Sequence, residues 1–332
     1  MKRATWCAVV VAASLIPVLR PFAQAPAAAS LSVPRDTFNA WMTRLSNAGR
    51  WGAQDELGTL NLITAEKRRV AAQSVRDGIS ISLASDLVAG PDPNAWLPFH
   101  LRVAVFPLDS TTSAAIDTIT LFAHGYAFSH VDALSHFVYQ DRLYNGFARD
   151  QLAPEGARKL GIEVMQAGIV TRGVIVDIPR LKGVEYLQPG LAVTAGDLEQ
   201  WERQHRMRIE AGDVVLIRTG RAARTEATGP WLVRNDASGP HPSLALWLKE
   251  RGVAALGSDV ANEASPSVVP GVPRPMHLLA IVAMGMPLMD NLNLEQLARE
   301  AASRSRPTFL FFAAPLRIRG GTGSPVNPLA LF

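Results

Sequence analysis

Two apolar runs bounded by turn-forming residues, Gly173-Val-Ile-Val-Asp-Ile178 and Asp213-Val-Val-Leu-Ile-Arg218, constrain the fold more than any other feature of the chain. Neither alternates apolar with polar residues along its length, so each reads as a strand buried on both faces, the situation of a sheet with helices on either side. A helical pattern from Thr194 to Gln204 separates them, and Ser243 to Arg251 reads as a helix feeding the strand Val253-Ala-Ala-Leu-Gly-Ser258. Strands alternating with helices, without an internal repeat or a low-complexity linker, predict a single α/β domain with a mixed β-sheet flanked by helices over residues 30–332. Gly229-Pro230 and Ser265 to Pro275 are loops within it.

Smaller elements surround this frame. Phe38 to Leu45 has the spacing of a short amphipathic helix, and Thr64-Ala-Glu-Lys67 has a cap-like pattern that opens another. Trp51 to Asn61, between them, is loop-like. Ile79 to Leu83, Arg102 to Phe106 and Ala115 to Phe122 alternate or run apolar as strands do. His277 to Met284 is apolar nearly all round. Phe309 to Pro315 reads as the closing strand, with Gly320-Gly-Thr-Gly-Ser324 after it as a flexible tail.

The formal charge is +4, but Lys2, Arg3 and Arg20 place three of the 33 basic residues in the first 29, a stretch without an acid. The remaining 30 face 29 acidic residues, a net of +1, which gives no electrostatic reason to invoke nucleic acid as a partner. Residues 1–29 read as an export signal, with a basic Met1-Lys2-Arg3 start, an apolar run from Ala4 to Leu19 and a cut expected near Ala29. The apolar run is short for a bilayer span, so the mature protein is expected in the periplasm or secreted, with no membrane attachment after cleavage. Cys7 is the only cysteine and leaves with the signal. Without thiolates, histidines and carboxylates are the candidate ligands for any metal.

Three of the seven histidines fall within thirteen residues, in His124-Gly-Tyr-Ala-Phe-Ser-His130-Val-Asp132-Ala-Leu-Ser-His136. On an extended strand residues of equal parity share a face, so His124, Tyr126, Phe128, His130 and Asp132 point the same way. A helix would set His130 and Asp132 about 200° apart. The i, i+2 pair therefore favours a strand end, while Asp132 and His136, four apart, suit the first turn of a following helix. Such a face offers imidazole and carboxylate to a divalent ion such as Zn²⁺ or Mn²⁺ and leaves one histidine for proton transfer. A plainer alternative is a hydrogen-bonded polar seam between sheet and helix.

This run resembles the signature His-x-Gly-Thr-His-x-Asp-x-Pro-x-His of the putative cyclase family, which includes bacterial kynurenine formamidase and isatin hydrolase. Trp51-Gly52, Asp55, Gly58-Thr59-Leu60-Asn61, Thr64 and Tyr144-Asn145-Gly146 are similar to the longer members of that family. His241-Pro-Ser-Leu-Ala-Leu-Trp247, Leu256-Gly-Ser-Asp259 and the segment from His277 through Gly285 to Asp290 resemble its later helix, strand and closing metal-site segment. The resemblance implies a cyclase-like fold of the swivelling β/α/β type. It also implies metal-dependent hydrolysis of an amide-like C–N bond, a formamide or a lactam, in a small-molecule substrate, by a homo-oligomer that is a dimer or tetramer. Carried over by position, it makes His130 and Asp132 ligands of a Zn or Mn ion and His136 the catalytic acid or base. His277, shifted by one residue, and Asp290, where the family has glutamate, complete the metal site. Tyr126, His124, Trp51 and His241 are then candidate substrate contacts.

The chain also departs from the pattern. Tyr126 stands at the family's first metal histidine, Phe128-Ser129 at its Gly-Thr pair and Leu134 at its proline. Tyrosine is a poor substitute for neutral imidazole, and His124, roughly 6.6 Å away along a strand, does not simply replace it. Weak metal binding, different ligands and loss of metal all remain open, and with them a second class of function, an exported small-molecule binding protein on the same fold. His241, between two prolines, is a substrate contact or a helix cap. Asp259, at a strand end, is a carboxylate behind a ligand histidine or a helix cap. His100 belongs to a pocket or a loop, His205 to solvent, and Trp51, Trp96 and Phe137 to an aromatic pocket or the core. No dinucleotide fingerprint, phosphate loop or Gly-x-Ser-x-Gly elbow is present.

Overall fold

The computed structural model describes residues 32–332, so the export signal expected at 1–29 lies outside the described residues. Helix α1 (Arg35–Arg44) and a 3₁₀ turn at Gly58–Leu62 precede α2 (Ala65–Gln73), which Thr64 caps by accepting from the Lys67 N–H. Then come β1 (Ser80–Ser82), β2 (His100–Pro107), β3 (Ser113–Thr120), β4 (His130–Asp132) and the short pair β5 (Leu152–Ala153) and β6 (Gly156–Ala157). The alternating stretch runs β7 (Ile169–Asp177), α3 (Ile178–Lys182), β8 (Ala192–Val193), α4 (Ala195–His205), β9 (Val214–Arg218), α5 (Arg221–Thr228), β10 (Gly239–Pro240), α6 (Leu244–Arg251) and β11 (Ala255–Ser258). Finally α7 (Pro275–His277) continues into a π-helical segment, Leu278–Met284, followed by β12 (Leu288–Asp290), α8 (Glu295–Ser303), β13 (Thr308–Ala313), β14 (Gly323–Pro325) and β15 (Leu329–Leu331). No helix among the described residues is long and apolar enough to cross a membrane.

Nine strands form one mixed sheet in the order β1-β15-β13-β7-β9-β11-β12-β4-β14. Its centre, β7-β9-β11-β12, is parallel, and antiparallel strands flank it on both sides. The period of two divides each central strand between two cores. Val174, Val176, Val215, Ile217 and Leu256 pack with Phe38, Trp201 and Trp247, while Ile175, Val214, Leu216 and Ala255 pack with Phe309, Phe311 and Phe332 on the other face. Burial on both faces is why these strands read as unbroken apolar runs. All seven residues of the π-helical segment are buried, as an all-round apolar pattern demands. Because the central strands are parallel, their carboxyl ends at Asp177, Arg218, Ser258 and Asp290 line one edge, the position where α/β sheets gather ligands.

Three expectations are corrected. The strands at 102–106 and 115–122 exist, but as β2 and β3 they pair only with each other and stay out of the main sheet. Residues 320–324 are no flexible tail: β14 pairs with β4, and β15 inserts between β1 and β13, so β13 is not the last strand. A Cβ on Gly323 would lie 2.5 Å from the His124 ring and 2.8 Å from the Val131 carbonyl oxygen, so glycine here permits close approach rather than looseness. The extended run expected from His124 to Asp132 is broken at Gly125, whose φ of +110° turns the chain with the Trp96 ring in the space a Cβ would fill.

Gly58, at φ +57°, ties the N-terminal segment to the turn after the π-helical segment. The Thr59 N–H donates to the Gly285 carbonyl oxygen at 2.8 Å, and a Cβ on Gly58 would fall 1.9 Å from that oxygen. Gly58→Ala is therefore expected to cost about 2 kcal/mol or more of stability, read as a lower urea midpoint at unchanged slope.

Candidate metal centre

The antiparallel pairing of β12 with β4 sets Asp290 directly opposite His130, so the two side chains rise from one face, and Asp132 stands two residues further along it. Val131 and Met289 point the other way, into the second core. Helix α7 lowers His277 onto the polar face from the first core. Asp132, 1% exposed, thus lies among four imidazoles. Its Oδ1 is 3.0 Å from His124 Nδ1, 3.4 Å from His130 Nε2 and 3.8 Å from His136 Nε2, and its Oδ2 is 3.7 Å from His277 Nε2. Asp290 Oδ2 lies 3.4 Å from His277 Nε2 and 3.9 Å from His130 Nε2.

Three of these rings are anchored from outside. His130 Nδ1 lies 2.8 Å from the Phe128 carbonyl oxygen and His277 Nδ1 2.9 Å from Glu263 Oε1, which assigns the outward proton to Nδ1 and turns Nε2 toward the carboxylates. His124 is reversed, with Nε2 3.1 Å from Thr322 Oγ1 and Nδ1 inward. Asn262 Nδ2 donates to Asp290 Oδ1 at 2.6 Å. Asp132 Oδ2 is buried and has no hydrogen-bond partner, a state that a cation would relieve. No lysine or arginine among the described residues forms an ion pair with Asp132, Asp290 or Glu263. The ligand atoms of His124, His130 and Asp132 lie within 4.8 Å of one another, as do those of Asp132, His277 and Asp290. Nitrogen and oxygen donors of this kind fit a divalent cation.

The protonation equilibria follow from burial and from these contacts. Burial raises the Asp132 carboxyl, but His136, His124 and His130 lower it well below the ordinary range, so it is ionised. Burial lowers His277, yet its hydrogen bonds to Asp290 and Glu263 lift it to about 10. Burial takes His136 down to about 4, with the Asp132 charge offsetting only part of the effect, so its ring is neutral at pH 7.

The structure brings together His130, Asp132, His136, His277 and Asp290, and adds His124 as a further imidazole. The turn at Gly125, not strand parity, returns His124 over Asp132. His136 stacks on His124 with ring centroids 3.7 Å apart, and Phe137 stands edge-on to it at 4.7 Å. With 24% and 19% of their side chains exposed, His136 and His124 mark the open side of the centre. Tyr126 turns elsewhere, buried among Val233, Ala237 and Val260 with the Arg274 guanidinium 5.1 Å from its ring. Trp51 lies against the Arg50 guanidinium at 4.6 Å, and no ring contact among the described residues joins it to the imidazoles. His241 Nδ1 accepts from the Ser243 N–H, just ahead of α6. Asp259 caps α5, accepting from the N–H groups of Thr219, Gly220 and Arg221. The carboxylate behind a histidine is instead Glu263, four residues on, which the strand-end signal alone does not separate from Asp259. Thr322 has no sequence signal at all, lying in what reads as a tail. His100 and His205 are exposed.

A mixed sheet whose carboxyl edge gathers imidazoles around two buried aspartates defines the class, an α/β protein built to hold a divalent cation. Residues 32–263 match the model of the putative cyclase family, and the chain belongs to that family. His277 and Asp290 lie beyond the matched residues. Over 149 residues the chain is 30% identical to the isatin hydrolase of Roseibium aggregatum, covering 43% of this chain and 53% of that one, so it spans about half the length of the curated relative it matches. Among solved structures it resembles one described as a novel cyclase, with a TM-score of 0.76 and 29% identity over 86% of this chain and 99% of the other. It also resembles isatin hydrolase A from Ralstonia solanacearum, with a TM-score of 0.54 and 25% identity over 79% and 94% of the two chains.

Glu263 holds His277 through both its backbone N–H and its ring, each at 2.9 Å. Glu263→Ala is expected to weaken binding of a divalent ion by about 10- to 100-fold in a competition titration with a chromophoric chelator, with Glu263→Gln less affected because it keeps an acceptor.

Proposed function

We propose that this chain is a metal-dependent hydrolase that breaks an amide-like C–N bond, a formamide or a lactam, in a small substrate. The observation that carries this reading is the unpartnered Asp132 Oδ2 inside a ring of imidazoles. The similarity to hydrolases of isatin, a cyclic amide, supplies the class of bond. His130, Asp132, His277 and Asp290, joined by His124, would hold a zinc or manganese ion. Bound there, such an ion acidifies water and polarises a carbonyl group. His136, neutral and on the open side beside Asp132, accepts the proton of the attacking water and returns it to the leaving nitrogen. Phe137 packs edge-on against that ring and keeps it in place. Glu263 and the Phe128 carbonyl oxygen hold the two deeper imidazoles in one tautomer. A binding protein with a degraded metal site is the weaker alternative, because His124 offers the centre an imidazole that Tyr126 does not. The basic and then apolar character of residues 1–29 supports export to the periplasm or the exterior, and the family resemblance supports a homo-oligomer.

Protein purified without a chelator or a histidine tag is expected to carry near-stoichiometric Zn or Mn by elemental analysis, and a His130→Ala/Asp132→Ala double variant is expected to carry none. Absence of metal even after addition of excess ion would overturn the hydrolase. His136→Ala is expected to keep the metal and lose about 10²-fold or more in turnover of a formamide or lactam panel. Export is checked by sequencing the amino terminus of protein recovered from the periplasm or medium, which is expected to begin close to Ser30.

A further inference from the structure

Three well-covered arginines of this chain meet carboxylates: Arg172 pairs with Asp213 at 2.6 Å, Arg218 with Asp177 at 2.9 Å and Arg251 with Glu202 at 2.9 Å. Arg221 and Arg274 are half-buried too, yet among the described residues neither guanidinium forms an ion pair. Arg221 donates to uncharged acceptors, the Tyr126 carbonyl oxygen at 2.6 Å, Asn291 Oδ1 at 2.7 Å and, more distantly, the Asp259 carbonyl oxygen at 3.4 Å. Arg274 donates to the Pro273 carbonyl oxygen at 3.1 Å and faces the Tyr126 ring at 5.1 Å. A guanidinium carries five N–H donors in a planar fork that matches a carboxylate, so most of those on Arg274 remain without a protein partner. Burial lowers the pKa of both guanidinium groups, and the charges of Asp259, Asp92 and Asp290 on Arg221, and of Asp290 on Arg274, offset only part of that. A cation taken from water without an ion-pair partner is costly, and a bound anion relieves the cost.

Both arginines border the candidate metal centre. Arg274 lies three residues ahead of His277, at the start of α7, and Arg221 holds Asn291, the residue after Asp290. We propose that Arg274 binds a carboxylate that the substrate carries apart from the bond it loses, so that this chain takes acidic amides in preference to neutral ones. The carboxylates of the centre itself, Asp132, Asp290 and Glu263, repel such a group. An acidic substrate is therefore oriented, with its charge turned from the aspartates toward the guanidinium and its amide left to the centre and His136. Arg221 supports the site without entering it: its fork is spent on the Tyr126 and Asn291 loops, which it fixes, and its charge adds to the potential. Tyr126 gains a use here as well. Standing where the family's first metal histidine would, and packed with Val233, Ala237 and Val260, it offers the Arg274 guanidinium the face of an aromatic ring. The choice of substrate rests on the hydrolysis proposed above, whereas the anion site itself does not.

Turnover of N-formylanthranilate and of its methyl ester, one formamide with and without the negative charge, by the metal-loaded full chain tests this. The unmodified protein is expected to favour the acid in kcat/KM by roughly 10-fold or more, the worth of a charge-assisted hydrogen bond. Arg274→Gln is expected to remove that preference through KM rather than kcat, and Arg274→Lys, which keeps the charge but not the fork, to restore part of it. Elemental analysis and the far-ultraviolet spectrum report whether the glutamine variant keeps its metal and its fold. Should it lose either, the unmodified protein decides: KM for the acid, and not for the ester, is expected to rise with added sodium chloride, and a KM unmoved by salt would overturn the proposal. Equal handling of acid and ester by the unmodified protein would overturn it too, as would a preference that survives Arg274→Gln, which would assign the carboxylate to the metal ion. If neither compound is turned over, the hydrolase reading fails by itself and isothermal titration with anthranilate decides the site. Binding to the unmodified protein roughly 10-fold or more tighter than to Arg274→Gln is then expected, and equal or absent binding would overturn the proposal.

Discussion

A carboxylate kept ionised inside a protein must be met by positive charge or by hydrogen-bond donors, and Asp132 is met almost wholly by imidazoles. Four pieces of chain converge to supply them: the loop before β4, β4 itself, the turn after it, and α7. Three of the rings are also anchored on their far side, which draws in Thr322 ahead of β14, the Phe128 carbonyl oxygen and Glu263 beyond β11. The seating of α7 over the sheet, the close approach of Gly323 and the bend at Gly125 all serve this arrangement.

The parallel centre of the sheet decides where the centre sits. Four carboxyl ends share one edge, but they are put to different uses. At the end of β9, Arg218 bridges Asp177 at 2.9 Å and Glu295 at 2.8 Å, which closes that part of the edge with ion pairs. Beyond β11, Asp259 is saturated by N–H donors of α5 and its approach, so its oxygens have little left to offer a cation. Only toward β12 and β4 does a buried carboxylate oxygen remain without a donor. Chemistry on this edge belongs to the carboxylates that the scaffold leaves unsatisfied.

How much of this was legible depended on whether the signal was local. The central strands were readable because burial on both faces is written directly into composition, and the His130 and Asp132 pair because two residues on one strand share a face whatever surrounds them. His124 was read as a candidate substrate contact that does not simply replace the missing ligand, on the premise of an unbroken strand, and a single glycine at 125 voids that premise. Gly323 was misread because glycine marks either freedom or close approach, and only the neighbouring ring and carbonyl tell the two apart. The hairpin strands β2 and β3 were visible as strands, but nothing in their pattern said that they would pair with each other alone.

By itself the sequence determined an α/β sheet with a buried parallel centre, an imidazole and carboxylate face at residues 130–136, and membership in a family of cyclase-like proteins. Tertiary structure alone decided that His277 stands 3.7 Å from Asp132, that Thr322 steadies His124 from 198 residues away, and that Glu263 rather than Asp259 backs a histidine. The reason is physical. Periodicity and composition record how each segment meets water, whereas the partner of a buried polar group is set by distances between segments far apart in the chain.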